Sequence, residues 1–111
     1  VVSEELIRAV ENLKRTGADL SQVCAYEIVG HPRADQQQLE ASMRFANSLG
    51  IRIMLSDFSP IPGTPDGQLC ADIVDLSEPL NHNKSAFPER LMGFEAVNRY
   101  KDLCRQLNRN L

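Results

Sequence analysis

Two apolar runs, separated by a single helix-length segment, constrain the fold of this chain more than any other feature. The first run is QVCAYEIVG, residues 22–30, and the second is IRIMLSDF, residues 51–58. Nearly continuous apolar character is typical of parallel strands that are covered on both faces. A strand, a helix and a second strand with short connections predict a right-handed βαβ unit, and therefore two parallel strands in an α/β fold.

The spacing of apolar residues predicts three helices around these strands. A first helix is expected at about 4–16, and a second begins after the N-cap Asp35 and ends before Gly50. A long C-terminal helix is expected from about Pro88 onwards, because its apolar residues recur at helical spacing. Residues 1–87 thus hold two βα units with a long proline-rich loop, and residues 88–111 hold the C-terminal helix. The loop occupies residues 59–87, with a short helix as one option for 71–76.

Two parallel strands are fewer than the four to six or so that sheets usually contain. One interpretation is a compact α/β mini-domain. The other, which we favour, is a piece of a larger parallel barrel or sheet, completed by further chain or by another copy. A chain that opens on Val1 and enters a helical pattern almost at once is consistent with an excised piece or a processed start. Open strand edges would also allow a homo-oligomer.

Charge and cysteine content narrow the function classes. The formal charge of −3 gives no general attraction to nucleic acid or to an anionic membrane. No apolar stretch approaches the ~20 residues that span a bilayer, and no leader pattern is present, so a cytoplasmic location is expected. The cysteines, Cys24, Cys70 and Cys104, are isolated, which disfavours a metal centre built from this chain alone. Cys24 and Cys104 are predicted to be small core residues.

Ligands of parallel α/β folds bind beyond the carboxyl ends of the strands. Here those ends carry Gly30-His31-Pro32 and the stretch 56–65, SDFSPIPGTP. Proline fixes the backbone, so SPIPGTP is predicted to form a rigid wall that could face a flat aromatic group, although a turn that merely reverses the chain is an equal alternative. His31 could be a ligand, an acid–base group or a loop residue bonded to the backbone. Strand alternation separates Cys24, Tyr26 and Ile28 from Ala25, Glu27 and Val29 without deciding which set faces inward.

Three segments together resemble the later part of radical S-adenosylmethionine enzymes. They are YEIVGHP (26–32), a helix ending in FANSLGIRI (45–53), and LSDFSPIPGTP (55–65); EPLNHNKSAFP (78–88) is similar to the segment that follows in the family. The members with an N-terminal cobalamin-binding domain are the most similar. The resemblance covers residues 1–100 or so.

The resemblance implies a partial TIM-like barrel of six strands, of which this chain would supply the last two. The parent enzyme would bind S-adenosylmethionine on a [4Fe–4S] cluster and cleave it reductively to a radical; whether the parent also binds cobalamin is left open. Ile28 and Gly30 correspond to the isoleucine and the second glycine of the family's fifth-strand motif, which contacts adenine. The implied cofactor-binding residues are Ile28, Gly30, His31, Pro32, Ser59, Ile61, Pro62 and Gly63.

The chain departs from the family pattern in two ways. Tyr26 stands in place of the first glycine of the fifth-strand motif, and Arg33 in place of its glutamate. The cluster motif CxxxCxxC is absent, so this chain alone is expected to be inactive and to bind neither cluster nor cofactor. Its partner would be the rest of the parent barrel, with no membrane or nucleic acid involved. If Ile28 faces adenine, Glu27 points toward the helices, where a basic residue is a candidate partner.

Overall fold

A computed structural model describes residues 3–82 and 85–111 of the chain. The elements are, in order, α1 (Ser3–Arg15), β1 (Cys24–Val29), α2 (Gln36–Ser48), β2 (Arg52–Asp57), α3 (Pro65–Gln68), α4 (Ala86–Met92) and α5 (Phe94–Arg109). Short 3-10 turns lie at Leu20–Gln22 and Pro79–His82. The chain is therefore α/β with flanking helices and a long C-terminal helix, as the sequence predicted. None of the helices in the described residues is long and apolar enough to cross a membrane.

The two strands are parallel, which confirms the βαβ prediction. Cys24 pairs with Arg52, and the register continues to Val29 opposite Asp57. Asp35 caps α2 as predicted, because its side chain accepts a hydrogen bond from the backbone N–H of Gln37 at 2.8 Å.

The helices cover one face of this sheet and leave the other bare. Alternate residues of both strands, Val29 and Ile53 among them, lie buried in a core with α2 and α5, and Ile51, just before β2, is buried with them. The opposite set is exposed, with Tyr26 at 69%, Ile28 at 53% and Met54 at 46%. We call this second surface the bare face; it consists of Cys24, Tyr26, Ile28, Arg52, Met54 and Ser56. The prediction that both faces of the strands are covered is therefore wrong for the described residues, in which one face is covered.

The edges of the sheet also differ from each other. On β2, the side chain of Asn108 accepts from the backbone N–H of Ile53 at 2.9 Å and donates to its carbonyl at 2.9 Å. The Cys104 thiol donates to the same carbonyl at 3.3 Å. Helix α5 therefore closes the outer edge of β2 at Ile53, whereas the sequence predicted exposed edges.

Two predictions about the C-terminal half need correction. The single helix expected from Pro88 is two helices, because Gly93 has a φ of 91° and separates α4 from α5. Residues 71–76 form turns, and the short helix of this region is α3, which starts at Pro65 after the N-cap Thr64. A second small core of Cys70, Val74 and Phe87 packs beneath the loop.

Candidate functional site

The carboxyl ends of the two strands converge on one rim. The backbone N–H of Phe58 donates to the carbonyl of Val29 at 2.9 Å, so the pairing continues past the ends of both strands. The His31 ring then packs edge-on against the Phe58 ring, with centroids 4.8 Å apart. The segments that follow the two strands are therefore neighbours, as expected for the carboxyl ends of parallel strands.

The proline-rich stretch begins with a tight turn at 61–64. The backbone N–H of Thr64 donates to the carbonyl of Ile61 at 3.2 Å, with Pro62 and Gly63 at the centre. Gly63 has a φ of 86°, and proline followed by a residue of positive φ is the pattern of a type II turn. The Thr64 hydroxyl donates to the Ile61 carbonyl at 2.7 Å and accepts from Gly67, which joins the turn to α3. The turn presents the side chain of Ile61, which is 62% exposed.

His31 holds the two halves of the rim together. Its Nδ1 accepts from the backbone N–H of Arg33 at 3.1 Å, so in the neutral ring Nε2 carries the proton. Nε2 lies 3.3 Å from Oδ2 of Asp66. Both ring nitrogens are thus engaged within the chain, which favours the backbone-bonded loop residue among the three roles that the sequence left open.

Gly30 is buried for a reason internal to the chain. It has a φ of 87°, and a Cβ built on it would lie 2.6 Å from Cβ of Pro88. The backbone at the end of β1 therefore packs directly on the first turn of α4. Its neighbour Pro32 is half-buried, and Ser59 on the facing segment donates its hydroxyl to the carbonyl of His82 at 3.2 Å.

A groove of about 370 Å³ opens on this rim, lined by Phe58, Ser59, Ile61, Thr64, Pro65 and Asp66. Of the predicted site residues, Ser59 and Ile61 line it, and Pro62 and Gly63 form the exposed tip of its turn. His31 contacts the lining residues Phe58 and Asp66, whereas Gly30, Pro32 and Ile28 do not line the groove. The groove volume is within the range of small-molecule sites, about 300–1,000 Å³.

A second groove, of about 560 Å³, runs along the outer side of β1, and no motif in the sequence marks it. It is lined by Leu6, Ala25, Tyr26, Glu27, Ala41, Ser42 and Phe45. Burial raises the pKa of the Glu27 carboxyl, because the charged form loses solvation there. No side chain in residues 3–82 and 85–111 forms a hydrogen bond or ion pair with this carboxylate. The one signal in the sequence was a charged residue inside an apolar strand.

The thiols do not assemble into a metal site. Cys24 is exposed on the bare face, which corrects its prediction as a core residue, while Cys70 and Cys104 are buried in separate cores. Burial raises the pKa of both buried thiols, with a smaller contribution from the charge of Asp66 at Cys70. Within the described residues, no three His, Cys, Asp or Glu side chains are grouped so as to hold a metal ion.

Asp57, at the carboxyl end of β2, lies on the helix side of the sheet. Its Oδ2 is 3.8 Å from Nζ of Lys101 in α5, and its buried Oδ1 has no hydrogen-bond partner in the part of the chain that is described. This carboxylate therefore connects strand to helix and does not face the rim groove.

Comparison of the chain with family models, with curated proteins and with solved structures gives no match.

Proposed function

We propose that this chain is the C-terminal part of a radical S-adenosylmethionine enzyme barrel and supplies the adenine-side wall of the cofactor pocket. One observation carries the proposal: the sheet has an uncovered face, and a proline-rich rim lies at the carboxyl ends of its two strands. In a closed or partial barrel, the face away from the helices is the interior, and ligands sit at the carboxyl ends of the strands. The motif resemblance supports the identity of the ligand.

The exposed residues suit a planar heteroaromatic ring. Ile28 on the bare face and Ile61 on the rim offer apolar surface, because their side chains are 53% and 62% exposed. Apolar walls with a few backbone hydrogen-bonding groups are typical of such sites. In this proposal Gly30, His31, Pro32, Pro62 and Gly63 fix the shape of the wall, and no residue of the chain transfers a proton.

The iron–sulfur cluster does not fit the residues of this chain. Cys24 lies on the bare face, and the other two thiols are buried in different cores, so they cannot share a cluster. Cluster binding, any cobalamin and the electron that starts the chemistry would belong to the rest of the parent, and we derive no catalytic step from this chain.

The proposal is tested by NMR titration of the labelled chain with S-adenosylmethionine, 5′-deoxyadenosine and free methionine. One wall of a pocket is not expected to hold the cofactor stably, so the two adenosyl compounds at millimolar concentration should cause small, unsaturated shifts at the amides of Ile28 and Ile61, and methionine should cause none. Ile61→Ala should weaken those shifts, while Leu80→Ala, at another exposed aliphatic side chain, should not. Shifts confined to other surfaces, or reproduced by methionine alone, would contradict an adenine wall.

A second candidate function is a non-catalytic module that assembles through a strand edge. The outer edge of β1, which has no strand partner in the described residues, favours it, although α5 covers the β2 edge at Ile53. This candidate predicts self-association that is indifferent to adenosyl compounds. Sedimentation of the chain with and without S-adenosylmethionine separates the two functions.

A further inference from the structure

The outer edge of β1 has the geometry to accept another strand. In the parallel ladder, Arg52 donates to Val23 and Phe58 donates to Val29, so the odd-numbered residues of β1 turn their backbone groups toward β2. The N–H and carbonyl groups of Cys24, Tyr26 and Ile28 therefore point outward. None of these groups has a backbone or side-chain partner in residues 3–82 and 85–111.

The groove beside this edge provides room for the side chains of an added strand. Its walls come from Leu6 of α1 and from Ala41 and Phe45 of α2, and its floor includes Ala25 and Glu27. An added strand would place alternate side chains in this groove and the others next to Tyr26 and Ile28 on the bare face. Backbone pairing combined with pockets for alternate side chains is how sheet edges bind extended peptides.

The charge in the groove selects among strands. Glu27 is half-buried, and no cation lies within ion-pair distance of it in the described residues. A half-buried carboxylate without a partner is costly, and a cation placed beside it removes much of that cost. The apolar walls formed by Leu6 and Phe45 suit the aliphatic stem of a lysine or an arginine.

A second copy of β1 is a poorer occupant. If two copies paired antiparallel about Tyr26, their Glu27 carboxylates would fall at diagonal positions, about 7–8 Å apart. In the register that pairs Tyr26 of one copy with Ile28 of the other, the two Glu27 carboxylates would lie directly opposite each other. Like charges in such positions are destabilising.

We propose that the β1 edge groove binds an extended strand that carries a lysine or arginine beside Glu27. This strand deepens the proposed function, because in a barrel it would be the neighbour of β1. It does not depend on adenine recognition, so failure of the S-adenosylmethionine titration would leave it standing. Conversely, its own failure would leave the adenine wall untouched.

The test uses three capped nine-residue peptides of alternating valine and threonine that differ only at the central residue, which is lysine, norleucine or glutamate. Each is titrated into the labelled 111-residue chain and followed by NMR and amide hydrogen exchange. The lysine peptide is expected to protect the amides of Cys24, Tyr26 and Ile28. It should bind about fivefold more tightly than the norleucine peptide at low salt, the size expected for one partly screened ion pair.

With Glu27→Gln, the lysine and norleucine peptides should bind about equally tightly, while the amides of Cys24, Tyr26 and Ile28 remain protected. Glu95→Gln, on the exposed start of α5, is the matched control and should leave the preference unchanged. Equal binding of the lysine and glutamate peptides, or protection at other amides, would overturn the inference. So would a dimer in sedimentation that protects the same amides without any peptide, because it would assign the edge to a second copy.

Discussion

At the scale of single residues, Glu27 is the least ordinary feature of the sheet. It lies in a strand whose neighbours are apolar, and burial raises its pKa from the usual 4.5. The folded state therefore binds the proton more tightly than the unfolded state does. This contribution to stability is fully present below about pH 4.5 and is lost as the pH rises through the raised value.

Glu27→Gln is expected to stabilise the chain at neutral pH, because the amide carries no charge to desolvate. The gain should be below about 1 kcal/mol, since the carboxyl keeps part of its solvation. It should shrink toward zero as the pH falls to about 4. Urea unfolding of both proteins at several pH values measures this difference, and a gain that is independent of pH would contradict the assignment.

Gly30→Ala is expected to destabilise the fold by about 2–4 kcal/mol, because it combines positive-φ strain with a collision at Pro88. Gly63→Ala is the matched control, since Gly63 has nearly the same φ and nothing lies within 4 Å of the added Cβ. The control should lose only about 1–2 kcal/mol. Equal losses of unfolding free energy would show that contact with Pro88 contributes nothing.

At the scale of elements, α5 both packs on the sheet and replaces a missing strand. Its Tyr100 hydroxyl donates to the carbonyl of Gln36 at 2.7 Å, and Asn47 of α2 donates to the carbonyl of Leu107 at 2.8 Å. The Asn108 amide then offers Ile53 one acceptor and one donor, as a neighbouring strand would. Residues 100–108, about two turns of α5, thus connect α5 to helix α2 and to the edge of β2.

Asn108→Ala is expected to cost about 1–3 kcal/mol, because it leaves the backbone groups of Ile53 short of partners. Thermal or urea unfolding measures the loss. Hydrogen exchange should quicken at the amide of Ile53, which loses its acceptor. Asn110→Ala, two residues further on and exposed, is the control and should change neither quantity. An unchanged exchange rate at Ile53 would mean that Asn108 does not hold this edge.

Sequence patterns predicted the elements well where one physical cause decides them. Asp35 capped α2 as expected, and the two apolar runs became parallel strands with neighbouring ends. The break at Gly93 was missed because the apolar spacing continues across it while the backbone does not. The cover over Ile53 depends on a side chain 55 positions away, which no local pattern contains.

Some features of the candidate site were likewise predictable from local sequence, and others were not. The rim was predictable because proline and glycine act locally, as the turn at 61–64 shows. The partners of His31 and the burial of Gly30 against Pro88 were not, because both come from the folding of the loop and α4 onto the strand ends. Cys24 was misjudged as a core residue, since the alternation of β1 separated its two faces without saying which one the helices cover.

At the scale of the whole molecule, one face of the sheet is the core and the other is surface. The bare face combines Tyr26, Ile28 and Met54, which is more apolar surface than a two-stranded sheet needs to expose. In α/β folds such an apolar sheet face is usually covered by a further layer of secondary structure. The reactivity of the three cysteines tests whether this face is exposed, because Cys24 lies on it and the other two are buried.

Cys24 is expected to react with a thiol reagent at a rate near that of a free cysteine, while Cys70 and Cys104 react only on unfolding. Burial and the raised pKa values keep the latter two protonated and inaccessible. Mass spectrometry of the labelled native chain should find a single modification, and Cys24→Ser should abolish it. Rapid labelling at either buried position would contradict the described packing.

The two hydrogen bonds between Asn108 and the backbone of Ile53 affect how further strands can add to the sheet. A sheet with two open sides can add molecule after molecule and grow into fibrils. On the β2 side a further strand would meet backbone groups of Ile53 that are already paired, so strand addition is favoured on the β1 side. The Asn108 carboxamide thereby hinders the addition of strands on the β2 side, which would otherwise allow fibril growth in both directions.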